Sequence, residues 1–352
     1  MHVLITGASG LVGAHAAGAI LRDGSHTVRV LARDPQRVLS AIAPLGVECN
    51  SIEIATGDVT DAAQVAEAMR GVDAVIHAAG LFSHDPADTA KMQLSNVLGT
   101  RCVLGAAVAA GADPIIHVSS YLALFPPRGA VQRASDPVTA PRSVYARTKA
   151  EAESIARELQ ESGAPVVTVY PGAIHGPDDP SFGASPAYLA ESLRKRSMLV
   201  NRGGRGYNDV RDLARLLLLL LAPGRGPRRM MCGGLYTSDS DIHALLCQLT
   251  GNAISAVRLP GWLLRAMGRT GDIAAALTGG TAALSYEAAC VLTRSVPCDD
   301  TAALALLGRP WMPIGQSLCD LLVWMRRAGH LSAEDAGPAI CALAAENRTD
   351  GR

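Results

Sequence analysis

The chain has 352 residues, 49% of them hydrophobic, which is enough for one large or two modest domains around a buried core. Its 32 basic and 32 acidic residues give a formal net charge of +0, which argues against nucleic acid or an anionic membrane as a partner. The eight cysteines form no CxxC pair and have no histidine at ligand spacing, so we expect reduced thiols and no metal site.

Short β-branched runs alternate with Ala-rich stretches along the first half of the chain. The predicted strands are HVLIT, HTVRVLAR, SIEIATGD, DAVIHAAG, DPIIHVSS and APVVTVYPG, and a helical stretch follows each of the first five. This alternation predicts βαβ units, and strands that are apolar at consecutive positions predict helices on both faces of the sheet. The expected fold class is therefore α/β, with a doubly wound parallel sheet.

The alternation ends near residue 175. A Pro/Gly/Asp-rich patch and a basic, Gly-rich patch follow, and the chain reads as mainly helical from Cys232 onward. We predict a core over 1–175, a smaller helical region over 176–334 that returns to the core near 207–240, and a partly loose tail over 335–352.

Neither the N-terminal sequence nor the longest apolar run indicates export or a membrane span. The opening MHVLITG lacks the basic flank and cleavage site of a signal peptide. The longest apolar run, LLLLLLA at 216–222, is far shorter than the roughly 18 to 20 residues that cross a bilayer, so we expect a buried helix there. A cytoplasmic protein without membrane insertion is the prediction.

A Gly-rich turn, TGASGLVG, lies between the first strand and the first helix. Gly7, Gly10 and Gly13 leave room for the backbone to approach a pyrophosphate, whose charge is favoured at a helix N-terminus. We therefore predict a dinucleotide site here. Its predicted contacts are Gly7, Ser9, Gly10, Leu11 and Val12.

The ends of the next three strands supply the other predicted cofactor contacts. Arg33 stands where NAD-selective proteins usually carry an acid, and a cation there suits a 2′-phosphate. Because Asp34 could itself bind the ribose, NADP(H) is the preferred cofactor and NAD(H) the alternative. Asp58 could accept a hydrogen bond from the adenine amino group or act as a simple N-cap. The remaining predicted contacts are Val59, Ala78, Ala79 and Gly80, whereas we expect His77 to be a satisfied core histidine.

A tyrosine and a lysine share one helix face after the fifth strand. Tyr145 follows Ser120 by 25 residues, and Lys149 follows Tyr145 by four. Such a pair is common by chance, and only the Ser-Ser strand end and the nucleotide turn before it favour an active site. A nearby ammonium stabilises a phenolate, so we expect Lys149 to lower the pKa of Tyr145.

In this order the motifs resemble those of the extended short-chain dehydrogenases/reductases, within the NAD-dependent epimerase/dehydratase superfamily. The resemblance is strongest to the dihydroflavonol-reductase-like and 3β-hydroxysteroid-dehydrogenase-like branch. It runs through LITGASGLVG, GDVTD, HAAG, NVLGT, HVSS, YARTKAEAE, VYPGAIHGPDDP, NDVRDLA and DDTAALALLGRPW. It implies a Rossmann-type dinucleotide-binding core, a C-terminal substrate-binding region and a homodimer.

The resemblance also implies catalytic roles. Tyr145 would be the general acid/base for the substrate oxygen, and Lys149 would bind the nicotinamide ribose. Ser120, with Ser119 as the fallback, would hold the substrate oxygen against Tyr145.

Three further residues receive roles in the same way. Asn96 would support a water-linked proton path to the lysine, or it would bend its helix. Pro171 and Gly172 would contact the nicotinamide and fix which face of its ring is presented.

Two departures from the family pattern bear on the reaction and the substrate. SSYLALF lacks the acids with which dehydratases eliminate water, which favours carbonyl reduction or alcohol oxidation. The loop cations Arg194, Lys195, Arg196, Arg202 and Arg205 could grip an anionic group or be solvated. We predict an NADP-preferring oxidoreductase that interconverts a carbonyl and an alcohol on a mostly apolar small molecule. The alternatives are a nucleotide-sugar epimerase or dehydratase with tightly bound NAD, and a non-enzymatic dinucleotide sensor.

Overall fold

The computed structural model describes residues 1–83, 85–201, 203–278 and 284–346. By their contacts these residues divide into two compact units, each built from separated stretches of chain. Unit 1 comprises Met1–Gly172, Val210–Gly233 and Cys298–Pro310. Unit 2 comprises Ala173–Asp209, Gly234–Pro297 and Trp311–Arg352, as far as these are described.

Strands and helices alternate through the first half of the chain. The strands are β1 (His2–Thr6), β2 (Thr27–Ala32), β3 (Ile52–Thr56), β4 (Ala74–His77), β5 (Ile115–Val118), β6 (Val166–Pro171), β7 (Ala173–His175), β8 (Ser197–Val200), β9 (Gly204–Asp209), β10 (Arg228–Cys232), β11 (Leu235–Ser238) and β12 (Ser255–Arg258). The helices are α1 (Leu11–Asp23), α2 (Pro35–Ile42), α3 (Ala62–Ala68), α4 (Thr89–Met92), α5 (Gly99–Ala109), α6 (Val144–Glu161), α7 (Ala184–Arg194), α8 (Val210–Leu219), α9 (Asp239–Thr250), α10 (Gly261–Thr278), α11 (Tyr286–Arg294), α12 (Thr301–Leu307), α13 (Ile314–Arg327) and α14 (Ala333–Glu346). A π-helical segment, Gln93–Leu98, joins α4 to α5, and short 3₁₀ turns cover Ala43–Leu45, Cys49–Ser51, Pro86–Asp88 and Tyr121–Leu124.

Unit 1 is organised around a seven-stranded sheet in the order β10-β6-β5-β4-β1-β2-β3. All of its strand pairs are parallel. The strands from β1 to β3 are added towards one edge of the sheet, and those from β4 onward are added towards the other. Sheets of this kind bind ligands at this switch point, outside the carboxyl ends of the strands. The predicted α/β fold with a doubly wound parallel sheet is therefore confirmed. The edge strand β10 was not predicted.

The sheet of unit 1 is buried by helices. Leu4, Val75 and Ile115 pack with Val103 and Leu104 of α5 in one apolar cluster. The predicted buried helix around the leucine run is α8, whose Leu213, Leu216 and Leu217 are fully buried. Burial of this apolar surface stabilises the sheet from both sides, as the apolar strands indicated.

Unit 2 contains a three-stranded sheet in the order β11-β9-β7, a two-stranded sheet of β12 and β8, and the helices α7, α9, α10, α11, α13 and α14. Its core includes Leu189, Ile242, Leu246, Leu318 and Leu321. The predicted loose tail over 335–352 begins within α14, whose Ala336, Ile340 and Ala344 are buried. Residues 347–352 lie outside the described part.

Three further properties concern the described residues as a whole. No helix among them is both long and apolar enough to cross a membrane. No group of three or more His, Cys, Asp or Glu side chains among them could hold a metal ion. All eight cysteines are free thiols.

Candidate active site

The Gly-rich turn opens α1 without a side-chain cap. Gly7 has φ of +81°, and Gly10 N–H donates to the Gly7 carbonyl at 3.0 Å. A Cβ at Gly13 would collide with that carbonyl, and one at Gly7 would lie 2.6 Å from Ala79 N. No side chain caps α1 at Gly10, so backbone N–H groups of its first turn can bind an anion. The turn therefore fits a dinucleotide pyrophosphate.

The other predicted residues of this turn follow directly. Ser9, Leu11 and Val12 are half-buried, and Leu11 and Val12 are the first residues of α1. They lie beside the helix N-terminus, and their contact with the phosphates stays a prediction.

Arg33 lies just after β2 and is largely exposed, with 78% of its side chain accessible. Its Nη1 lies 3.6 Å from Asp58 Oδ2. Asp34 instead caps α2, because its Oδ1 accepts hydrogen bonds from Gln36 N and Arg37 N at 2.9 and 3.3 Å. The cation is thus available at the strand end, while the neighbouring acid has a structural task.

Asp58 begins the turn after β3. Burial would raise its pKa, but hydrogen bonds from Thr60 and the charge of Arg33 outweigh burial and lower the pKa. Val59, the next residue, contacts the start of α5, where a Cβ at Gly99 would lie 2.9 Å from Val59 Cγ2. Both predicted contacts therefore lie beside the carboxyl end of the sheet.

The segment after β4 passes close to the first turn and to the lysine. Ala78 N donates to the Thr6 carbonyl, and Ala79 N donates to Thr6 Oγ1. A Cβ on Gly80 would lie 3.5 Å from both Asn96 Oδ1 and Lys149 Nζ. Space for a cofactor beside these two groups thus depends on the small residues of HAAG.

Tyr145 and Lys149 lie in the first turns of α6, which Ser143 caps by accepting from Ala146 N. Lys149 is only 8% exposed, and its Nζ donates to the Val118 carbonyl at the end of β5 at 3.1 Å. Ser120, two residues after Val118, is also buried, and its Oγ accepts from Leu122 N at 3.2 Å. The structure therefore brings the lysine to the strand end that carries Ser120.

The pKa of Tyr145 moves opposite to our expectation. Burial raises it to about 12, and Tyr121 adds to the increase. Burial also lowers the pKa of Lys149 to about 8, although Glu153 opposes this. The prediction that Lys149 lowers the pKa of Tyr145 is wrong for the protein alone, because removal from water disfavours the phenolate and Tyr121 adds to this effect.

His77 is a satisfied core histidine, as predicted. Its Nδ1 lies 2.7 Å from Thr6 Oγ1, and its Nε2 lies 3.0 Å from Thr100 Oγ1. Burial and the charge of Lys149 lower its pKa to about 3, so it is neutral at physiological pH. It stacks on His117 of β5 with ring centroids 5.8 Å apart.

Asn96 lies in the π-helical segment and holds the chain after β4. Its Oδ1 accepts from Leu81 N at 2.7 Å, and its Nδ2 donates to the Leu81 carbonyl and to Thr148 Oγ1, both at 2.9 Å. The amide is thus fully engaged with protein groups. It links the segment after β4 to α6, whereas the two predicted roles, a water-linked proton path and a helix bend, stay predictions.

Pro171 and Gly172 end β6 at the same edge of the sheet. Pro171 is buried and pairs with Cys232 of β10, and Gly172 N donates to the Cys232 carbonyl at 3.3 Å. The predicted nicotinamide segment is therefore held by the strand that sequence reasoning missed.

Two parts of the site were not predicted. Phe82 meets the Tyr145 ring edge-on, with centroids 4.8 Å apart, and is 46% exposed. Glu153 and Arg157 continue the spacing of Tyr145 and Lys149 along α6, and both bond Tyr170 of β6. The four-residue spacing was visible in YARTKAEAE, but the burial of Glu153 was not.

In unit 2, most of the predicted loop cations have acidic partners. The ion pairs are Arg194–Glu191, Lys195–Glu191, Arg196–Glu334 and Arg205–Asp239. Arg202 lies outside the described residues. Because the other four are paired, the patch carries less net positive charge than its sequence indicated.

Comparison with known proteins identifies the family. The profile of the NAD dependent epimerase/dehydratase family matches residues 3–233. A putative dihydroflavonol 4-reductase of Synechocystis sp. is 27% identical over 94% of this chain and 96% of its own length. Sterol demethylase protein B of Methylococcus capsulatus is 26% identical over 94% of this chain and its entire length.

Solved structures agree at the level of the fold. A dTDP-glucose 4,6-dehydratase from Streptomyces venezuelae, DesIV, solved with NAD, has a TM-score of 0.74 at 22% identity over 95% of this chain and all of its own. The predicted resemblance is confirmed, and the non-enzymatic alternative is set aside. The chain belongs to the NAD-dependent epimerase/dehydratase family and is an NAD(P)-dependent oxidoreductase of the extended short-chain type.

Proposed function

We propose that this oxidoreductase interconverts a carbonyl and an alcohol on a mostly apolar small molecule, with NADP(H) as the preferred cofactor. The observation that carries the proposal is the arrangement of Tyr145 and Lys149 on one face of α6, with Lys149 Nζ bonded to the carbonyl of Val118. The bond holds an ammonium beside the strand end that leads to Ser120. Acid–base chemistry at a substrate oxygen requires this combination of groups.

The residues present fit a nicotinamide dinucleotide. The uncapped start of α1 and the glycines before it would hold the pyrophosphate, Lys149 the nicotinamide ribose, and Pro171 with Gly172 the ring. When bound, the cofactor supplies or accepts the hydride. The protein contributes binding, orientation and the proton.

Tyr145 is best suited to donate a proton. With a pKa of about 12 its phenol is protonated at neutral pH, so it can give a proton to a carbonyl oxygen that becomes an alcohol. Ser120 would orient that oxygen through its hydroxyl. Ser119 is less suited, because it interacts with Glu153 and lowers the pKa of that carboxyl.

Several features support an apolar substrate. Phe82 flanks Tyr145 with an exposed ring, and the segment after Ser120, YLALF, carries no acid that could eliminate water. The relatives named above are a putative dihydroflavonol 4-reductase and a sterol demethylase protein, both names that indicate apolar ring systems. A simple reduction or oxidation of such a molecule agrees with each feature.

The preference for NADP(H) rests on Arg33. Its exposed guanidinium suits a 2′-phosphate, whereas Asp34 is engaged at the N-terminus of α2. Calorimetry with NADPH and NADH should give tighter binding of NADPH, and Arg33→Asp should remove the difference. Equal or tighter NADH binding by the wild type contradicts the preference.

The catalytic proposal is tested by Tyr145→Phe on a carbonyl substrate found by screening. We expect kcat to fall by about 10²- to 10⁴-fold with dinucleotide affinity retained, since only the proton donor is removed. Tyr236→Phe, a phenol deletion in unit 2, is the matched control and should keep full turnover. Unchanged turnover by Tyr145→Phe would refute the mechanism.

A nucleotide-sugar epimerase or dehydratase remains the alternative, since relatives include a dTDP-glucose 4,6-dehydratase of Streptomyces antibioticus, 29% identical over 44% of this chain and 48% of its own length. The pairing of the loop cations with acids is unfavourable to a diphosphate site in unit 2. If this alternative holds, the purified protein should carry bound NAD and act without added cofactor.

A further inference from the structure

The face of α6 that carries Tyr145 and Lys149 continues beyond the proposed site. Glu153 follows Lys149 by four residues and Arg157 follows Glu153 by four, so the four side chains form one row along the helix. Glu153 is fully buried, which is rare for a carboxyl group without a stabilising task. The proposed function assigns no role to Glu153 or Arg157.

Two donors meet one oxygen of the Glu153 carboxyl. Tyr170 Oη donates to Oε1 at 2.5 Å and Arg157 Nε donates to the same oxygen at 2.9 Å. Arg157 is fixed in turn, because its Nη2 donates to Tyr170 Oη at 3.1 Å and to the Asp136 carbonyl at 3.0 Å. A side chain bonded from its own helix and from β6 has little freedom to turn away.

The donors at Glu153 oppose the effect of burial on its carboxyl. Burial has the largest effect and raises the pKa of the carboxyl, while hydrogen bonds from Tyr170 and Arg157 and the charge of Arg157 lower it. The pKa of Tyr170 is raised by burial and by Glu153, so its hydroxyl keeps its proton and donates. The guanidinium of Arg157, 2.9 Å from Glu153 Oε1, favours a carboxylate at this position.

Lys149 lies one turn away in a site that disfavours its charge. Burial lowers its pKa, and Glu153 raises it. The other titratable groups beside it are His77 of β4, His117 of β5 and Tyr145. Burial holds the pKa of both histidines far below neutrality and that of Tyr145 far above it, so all three are uncharged at pH 7.

We infer that Glu153 is a positioning residue of the active site, whose caged carboxylate keeps the buried side chain of Lys149 in its ammonium form. The inference deepens the proposed function, since it rests on that function for the use made of Lys149. Arg157 and Tyr170 act one step further away, by fixing the carboxylate. The row thus extends the acid–base centre into the core of unit 1.

The chain allows a direct test, because it contains three lysines, Lys91, Lys149 and Lys195. In protein labelled with ¹³C at lysine Cε, the pH titration of each resonance reports the pKa of its amine without cofactor or turnover. Lys149→Met assigns the signal of Lys149. Lys91 and Lys195, which are 72% and 67% exposed, are internal references.

Four variants separate charge from packing. Glu153→Gln keeps the shape and removes the charge, and we expect the pKa of Lys149 to fall by about one pH unit. Glu153→Asp keeps the charge and should restore most of that loss. Tyr170→Phe disturbs the same cluster but keeps the carboxylate, and it should move Lys149 less than Glu153→Gln does. Glu158→Gln removes an equal charge at an exposed position of α6 and should leave Lys149 unchanged.

The outcomes are decisive in both directions. An unchanged Lys149 titration in Glu153→Gln, or an equal fall in Tyr170→Phe, overturns the inference. If Glu153→Gln does not fold, Glu153→Asp still decides, because its shorter side chain moves the charge and should lower the pKa of Lys149 slightly, whereas an unchanged Lys149 titration contradicts the inference.

The proposed function and the role of Glu153 are tested by separate measurements, so one can fail while the other stands. Full turnover in Tyr145→Phe removes the function while a responsive Lys149 signal keeps the electrostatic link. Conversely, lost turnover in Tyr145→Phe with an unresponsive Lys149 signal removes only the role of Glu153.

Discussion

Unit 1 and unit 2 both bury polar side chains, but they differ in how these side chains are stabilised. In unit 1, burial moves the pKa values of Lys149, His77 and His117 downward, so the protein opposes their charged forms. In unit 2, buried Ser317 donates to Asp209 and its Oγ lies 2.8 Å from His175 Nε2.

Ser317 of this unit 2 cluster has a partner for both its proton and its lone pair. Because Ser317 gives its one proton to Asp209, it must accept from His175, and its hydroxyl is not prepared for nucleophilic attack. The same side-chain types that can form a hydrolytic triad therefore serve stability here. Unit 1 retains an electrostatic cost beside its cofactor motifs, which is typical of functional sites.

Lys149→Met is the strongest test of this difference between the two units. The folded pKa of about 8 lies below the ordinary 10.5, so the unfolded chain binds this proton more readily. At pH 7 the substitution should raise the free energy of unfolding by at most about 3 kcal/mol, less the lost bond to the Val118 carbonyl. Turnover should be lost in the same variant.

The pH dependence gives the matching control for Lys149. In the wild type, the cost is fully present below pH 8 and is relieved as pH rises towards 10.5, so this group makes unfolding harder across that window. Urea denaturation at several pH values should find this rise reduced in Lys149→Met. A lower unfolding free energy for Lys149→Met at pH 7 contradicts the view that the lysine is held at a cost.

Asn96→Ala tests whether unit 1 also contains satisfied groups of the kind found in unit 2. The amide makes three hydrogen bonds, two of them to the backbone of Leu81. We expect a loss of about 2 to 3 kcal/mol of unfolding free energy, measured by urea denaturation, because buried backbone groups lose their partner. If a water-linked proton path were the main role, kcat would fall while the unfolding free energy stayed unchanged.

Ser317→Ala tests the satisfied cluster of unit 2. It removes the hydroxyl between Asp209 and His175 and should cost about 1 to 2 kcal/mol, measured by the same denaturation. Ser154→Ala is the matched control in unit 1, since that hydroxyl only bonds the Ala150 carbonyl of its own helix. Equal effects of the two substitutions would mean that the cluster adds nothing beyond an ordinary serine.

The sequence was sufficient for the first six strands of the unit 1 sheet, because each is an apolar, β-branched run and a helical stretch follows each of the first five. It was insufficient for β10, whose RRMMC has no β-branched residue and is a strand because β6 pairs with it. The π-helical segment was also not predictable, since its residues fit a regular helix and its contact with α6, from Asn96 to Thr148, joins residues far apart in sequence.

The site, like the fold, was predictable only as far as local sequence patterns define it. Spacing alone brought Tyr145 and Lys149 together, and the glycines of the first turn were recognised by their position. The direction of the Tyr145 pKa was wrong because burial is a property of the packed fold. One partner of Glu153, Tyr170, comes from β6 and could not be read from the spacing along α6. Local spacing thus gives the row of residues, whereas tertiary packing sets their charges.

The smallest expected change in stability belongs to Gly80→Ala, which separates the needs of the fold from those of the cofactor. An added methyl would lie 3.5 Å from Asn96 Oδ1 and Lys149 Nζ, an ordinary contact distance, so the free energy of unfolding should change by less than about 0.5 kcal/mol. The methyl would nevertheless occupy space in front of the costly lysine, so NADPH affinity measured by calorimetry should fall about tenfold. Gly105→Ala, where α5 leaves open space around the added methyl, should leave that affinity unchanged. Wild-type NADPH affinity in Gly80→Ala would mean that the cofactor does not pass this point, and the electrostatic cost of Lys149 would then need another explanation.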